Sequence, residues 1–133
     1  MREIEFRGKR IEDGKWIYGC YWYVEEHYAN PIENKTHFIK SKNNGIDYKI
    51  DIETLGQFTG FCDKNGKKIY EGNVVIYQDY DKLFFRGVDE YLEEMAMFVA
   101  RFKFGLYSFV HIELGKIEVI GNIHDNPELL EGI

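Results

Sequence analysis

Short runs of alternating apolar and polar residues, most of them broken by a glycine-containing turn, recur along the whole chain, and that pattern fits antiparallel strands. Residues 2–11 (REIEFRGKRI) and 16–25 (WIYGCYWYVE) flank Asp13-Gly14, a hairpin signal because a tight turn needs residues that tolerate φ > 0. Asn65-Gly66 and Glu71-Gly72-Asn73 bracket two further short strands, Lys68–Tyr70 and Val74–Tyr77. Tyr48, Ile50 and Ile52 alternate cleanly in a strand ending near Thr54, and Thr36–Ile39 is a short strand before the turn at Asn43-Asn44-Gly45. Phe98, Ala100 and Phe102 share one face of another strand, Gly105 turns the chain into Leu106–Ile112, and KIEVIGNI is the last strand.

The period changes once. Val88, Tyr91, Leu92 and Met95 recur at helical spacing with Asp89, Glu90, Glu93 and Glu94 between them, which predicts one short amphipathic helix over 88–95. Asn126 as a cap and Pro127 at the first helical position predict a short C-terminal helical turn. The fold class is therefore mainly β: antiparallel hairpins, at least six strands, one short helix and a terminal turn. In IYEGNVV an apolar strand enters a Gly-containing turn and leaves as a β-branched strand, the way an SH3-like barrel makes a corner; the hairpin at 96–112 and strand 117–121 complete a barrel-type C-terminal part. That divides the chain into an N-terminal hairpin and meander region, 1–60, and a small barrel-like region, 61–133, which read equally as one continuous domain.

Composition bounds the function classes. Ten Tyr, ten Phe and thirteen Gly against two Pro suit strands and tight turns, and 44% apolar residues in a chain of 133 supply a packed core. A net charge of −6 repels phosphate polymers and anionic membranes, so non-specific nucleic-acid binding is disfavoured. The start, MREIEFRGKR, has no apolar leader core, and the sequence contains no uncharged apolar run of the ~18 residues a membrane span requires, so the expected location is the cytoplasm. Cys20 and Cys62 lie too far apart for a C-x-x-C motif and are expected to be buried free thiols.

The chemistry-bearing motifs are missing. His27, His37, His111 and His124 never fall at the i, i+4 spacing of paired helical metal ligands, and His111 with Glu113 is the pattern of an exposed strand face. DKNGKK at 63–68 resembles a calcium loop only superficially: Gly66 is fourth where an EF-hand needs it sixth, and Lys64, Lys67 and Lys68 repel a cation. Neither serine sits in G-x-S-x-G, and there is no glycine-rich phosphate loop. Asp79, Asp81, Asp89, Glu90, Glu93 and Glu94 are read as a solvated face, with an acidic docking surface as the alternative. No catalytic, cofactor-binding or metal-binding residue is assigned, and the expectation is no enzyme and no cofactor.

Three segments, MREIEFRGKRIEDGKWIYG at 1–19, ETLGQFTGFCDKNGKKIYEGNVV at 53–75 and EVIGNIHDNPELL at 118–130, together resemble the YopX family of phage and prophage proteins. The resemblance implies a mostly β structure, an origin in mobile DNA in a bacterial host, and a family with no established catalytic role. It transfers no active-site residues. Asn73 stands where the family usually has Asp, a swap that preserves a backbone-accepting side chain and so indicates a turn-shaping position, not a metal ligand.

One surface invites a partner. Trp16, Tyr18, Tyr21, Trp22 and Tyr23 lie beside Arg7, Lys9 and Arg10, and alternation places Trp16, Tyr18 and Trp22 on one face and Tyr21 and Tyr23 on the other. One set is expected in the core and the other at an interface, because Tyr, Trp and Arg give large contact area with polar handles. Glu3, Glu5, Glu12 and Asp13 interleave the basic residues and favour a protein interface, self-assembly above all, over stacked nucleic-acid bases. The resulting expectation is a non-enzymatic binding or assembly module. The alternatives are a small nucleic-acid-binding β-barrel and, last, a metal-dependent enzyme.

Overall fold

The computed structural model describes residues 3–25, 35–78, 84–103, 105–109 and 116–131, with the backbone alone at 84 and 85. The chain divides into two compact units, Met1–Gln57 and Phe58–Ile133.

The first unit is built from β1 (Phe6–Arg10), β2 (Trp16–Glu25), β3 (Lys35–Ser41) and most of β4 (Asp47–Cys62). Asp13-Gly14 makes the first turn as its chemistry requires. Gly14 adopts φ 71°, its N–H donates to the Arg10 carbonyl at 2.8 Å, and the Asp13 carboxylate accepts from the Lys15 N–H at 3.0 Å. The hairpin then pairs Phe6 with Gly19 and Lys9 with Trp16. β2 pairs with β3, β3 with the start of β4, and β4 from Ile50 onward with β1, so the four strands close a ring of antiparallel pairings. Ile39 and Ile50 fill its interior, fully buried, and they explain Gly8. A Cβ there would lie 2.9 Å from Ile50 Cδ1 and 3.3 Å from Ile39 Cδ1, so the strand approaches the core closer than any side chain permits.

In the second unit, residues 58–62 of β4 pair with β5 (Lys68–Tyr70). A five-stranded antiparallel sheet follows in the order β10 (Ile117–Asn122), β6 (Asn73–Gln78), β7 (Phe84–Leu92), β8 (Met97–Phe102), β9 (Gly105–Ser108). Its core joins Ile69, Val75, Phe98, Ala100, Phe102, Phe109, Ile117 and Val119. Among the described residues the sheet has no pairing between β9 and β10.

The segment expected to be an amphipathic helix is mostly strand. β7 runs through Leu92, pairing Val88 with Arg101 and Leu92 with Met97, and helical geometry is limited to a 3-10 turn at Glu93–Met95 closed by Ala96 in the left-handed region, φ 51°. Eight residues are too few for a helix to hold on propensity alone, whereas β8 offers a full ladder of cross-strand hydrogen bonds. Burial follows the strand and not the helix: Asp89, assigned to a solvated face, is 1% exposed, while Met95, assigned to the buried face, is exposed. The C-terminal 3-10 turn, Pro127–Leu130, starts at Pro127 as expected, but Asn126 does not cap it; its Oδ1 accepts instead from the Asn122 N–H at 3.2 Å. Cys20 and Cys62 are free, as expected, but exposed, because Cys20 sits on the outward side of β2 and Cys62 ends β4. The strand expected over Leu106–Ile112 is present at Gly105–Ser108, and 110–115 lie outside the described residues.

Candidate functional site

β2 and β3 continue past the ring of pairings. β1 stops opposite Gly19, which leaves Cys20–Glu25 as an open edge, and β4 leaves β3 after pairing with Phe38, so the ribbon of Cys20–Glu25 with Lys35–His37 narrows to two strands from Tyr23 and His37 outward. Among the described residues no strand pairs with either outer edge of it. Rings cover both faces. On one, the Trp22 indole stacks on Phe38 with centroids 4.5 Å apart and planes at 14°, and its N–H donates to Asp47 Oδ1 at 2.8 Å. That hydrogen bond, then one from Lys40 at 3.1 Å, holds the Asp47 carboxyl below the ordinary range. On the other face the Tyr21 ring stacks on His37 at 5.8 Å, its hydroxyl sharing a 2.6 Å hydrogen bond with His37 Nδ1, and Tyr23 tilts against both. Partial burial and then the nearby Tyr23 raise the Tyr21 hydroxyl above its ordinary value.

The eight residues singled out from the sequence do not form one patch. Arg7, only 6% exposed, places its guanidinium 4.6 Å over the Trp16 ring, and the Lys9 ammonium lies 5.5 Å from the same ring. Tyr18 is half-buried under the Lys42 ammonium at 5.8 Å. Arg10 sits apart, over Tyr48 at 4.2 Å and paired with Glu12 at 3.2 Å and Asp13 at 3.4 Å. Trp22 and Tyr23 are exposed, at 38% and 49%, and Tyr21 is half-buried. Neither parity set enters the core, contrary to expectation, because Ile39 and Ile50 fill it and the rings stack on cations and on one another. The sequence reading missed His37, Phe38 and Asp47 as members of the aromatic surface. Thr36–Ile39 was legible as a strand, but its register against β2 was not.

The family-like segments of the second unit turn out to be its fasteners. Asp63 is buried and accepts three backbone hydrogen bonds at 2.9 Å, from Asn65 and Lys67 through Oδ1 and from Val119 through Oδ2. Burial pushes its carboxyl up, but the N–H groups of Val119, Lys67 and Asn65 and the Lys67 charge together hold it below the ordinary range. Asn73 Oδ1 accepts from the Tyr70 N–H at 2.7 Å and its Nδ2 donates to the Gly121 carbonyl at 3.3 Å, which is the turn-shaping role read from the sequence. Glu90 is paired with Arg101 at 2.9 Å, raising the guanidinium further, and Glu93 and Glu94 are exposed. Asp79, Asp81, His27, His111 and Glu113 lie outside the described residues. Among the described residues no group of three or more His, Cys, Asp and Glu could hold a metal ion, and no helix is long and apolar enough to cross a membrane.

The profile of the family described as YopX protein matches residues 5–131, nearly the whole chain. The chain belongs to the YopX family. No curated protein matches this YopX member. Among solved structures it is similar to the crystal structure of protein EF1440 from Enterococcus faecalis, with a TM-score of 0.58 and 22% identity over 98% of this chain and 100% of that one, a likeness of fold alone.

Proposed function

We propose that this YopX protein is a non-enzymatic assembly module that associates with copies of itself through the β2–β3 ribbon, in the cytoplasm of a bacterial host and in the service of a phage or prophage. The observation that carries the reading is the ribbon itself. A two-stranded hairpin with unpaired edges is marginal in water, and this one exposes Trp22, Tyr23 and Val24. Trp and Tyr are the residues that dominate protein interfaces, and an unpaired edge is the natural place for a second copy to add its own strand. Symmetry lets one ribbon satisfy another without a second evolved surface. An SH3-like barrel form for the second unit belongs to the same reading, and what supports a structural role for the family-like motifs is that Asp63 and Asn73 direct their polar atoms to backbone groups.

Light scattering of the full chain at micromolar concentration tests it. A mass above the monomer that falls to the monomer in Trp22→Ala supports the reading, and a monomer throughout contradicts it. Retention on DNA or RNA resin that weakens steeply with salt would favour the nucleic-acid alternative instead.

A further inference from the structure

We propose that the first unit carries a binding site for a phosphate-bearing ligand of nucleotide size, in the cavity that opens where β3 and β4 part company. β4 pairs with β3 only as far as Lys49 and turns to β1 from Ile50, leaving a cavity of about 990 Å³ between the two strands. Lys9, Arg10, Lys35 and Lys49 line it with His37, and among the described lining residues Asp51 is the one carboxylate. The imbalance is local, since residues 1–57 as a whole hold nine Lys and Arg against ten Asp and Glu. Asp51 does not offset it fully, because its Oδ1 accepts from the Glu53 N–H at 3.1 Å.

Two of the cations are held by rings: the Arg10 guanidinium lies 4.2 Å over Tyr48 and the Lys35 ammonium 4.8 Å over Tyr23. Stacking fixes a guanidinium by its face and leaves its in-plane N–H groups as the donors, the arrangement that suits phosphate oxygens. Arg10 already pairs with the highly exposed Glu12 and with Asp13, so an incoming polyanion must compete with two carboxylates, of which the Glu12 pair is a weak surface one. The volume is at the upper end for small-ligand sites, far beyond a single inorganic anion, and the exposed Ile11 and Ile52 give it apolar wall for a base or sugar. Four cations also exceed what one carboxylate requires, which separates a phosphate ester from an acidic side chain. Lys35–His37 belong to both the ribbon and the cavity lining, so Lys49→Glu, outside the ribbon, is the substitution that separates this inference from self-assembly.

The test is calorimetric titration of the full chain at low salt with a nucleoside triphosphate and with a short oligodeoxythymidylate. Saturable binding of either probe is expected, weakened by salt and by at least roughly tenfold in Lys35→Glu or Lys49→Glu. Lys103→Glu, in the second unit, should bind as the parent does, and thermal melting of each variant establishes that it is folded. The triphosphate binding more tightly assigns a free nucleotide, the oligonucleotide binding more tightly assigns the phosphodiester of a strand, and both satisfy the proposal. No binding of either probe, binding indifferent to both substitutions, or equal affinity for a polyglutamate peptide would overturn it.

Discussion

The Trp22 indole spans β2, β3 and β4 in one contact: its face lies on Phe38 at 4.5 Å and its N–H reaches the Asp47 carboxylate at 2.8 Å. The two functions of the ring separate by substitution. Trp22→Phe keeps a stacking face but removes the donor, so the Asp47 carboxyl should rise toward its ordinary value in a carboxyl NMR titration while self-association persists. Trp22→Ala removes both and should weaken association by about 2 kcal/mol or more. Association unchanged in Trp22→Ala would place the contact elsewhere.

Acid should loosen the second unit through Asp63. Its folded carboxyl titrates below the ordinary carboxylate value, so the stability it contributes is fully present above that value and is lost as pH falls through the folded one. Asp63→Asn keeps the two bonds to Oδ1 but presents an amide to the Val119 N–H. Denaturant titrations at neutral and acid pH should show a loss of about 2 kcal/mol at neutral pH that narrows in acid. A constant difference across that range would contradict the assignment.

At the junction of the family-like segments, Asn73→Ala should cost about 2 kcal/mol, because the buried Tyr70 N–H loses its acceptor. Asn73→Asp retains that acceptor but sets a buried carboxylate oxygen against the Gly121 carbonyl, so its cost should be smaller in acid, where the carboxyl is protonated, than at neutral pH. Gly121→Ala should be at least as damaging as Asn73→Ala, since its Cβ would fall 2.5 Å from Asn126 Oδ1. Urea midpoints of the three variants, taken at neutral and acid pH for Asn73→Asp, check these outcomes.

What the sequence made legible was local. Asp13-Gly14, Asn65-Gly66 and Gly72-Asn73 announced their turns because the backbone there demands those residues. The 88–95 segment misled because four apolar residues fit the helical period by spacing alone, while the strand that claims it, Met97–Phe102, decides the matter through tertiary pairing. The ribbon was half visible. Trp22 and Tyr23 stood out by type, but Phe38, His37 and Asp47 join them only through the register of β2 against β3 and the course of β4. The cavity lacked any signature, since Arg10, Lys35 and Lys49 are brought together by strand divergence and not by spacing.

Gly8→Ala should destabilise the first unit by roughly 1–3 kcal/mol, the usual cost of overpacking, because Ile39 and Ile50 already occupy the space a methyl needs. Thermal melting followed by Trp fluorescence reads this unit, which holds both tryptophans. A variant as stable as the parent would mean that the two isoleucines repack freely.

Hydrogen exchange measured as a function of protein concentration tests the central claim most directly, because it locates the contact as well as detecting it. If copies join through the ribbon, the outward amides of Cys20–Glu25 and Lys35–His37, which have no strand partner among the described residues, should gain protection as concentration rises through the micromolar range, and lose it in Trp22→Ala. Protection that is independent of concentration there, or that grows only at strands of the second unit, would contradict the account.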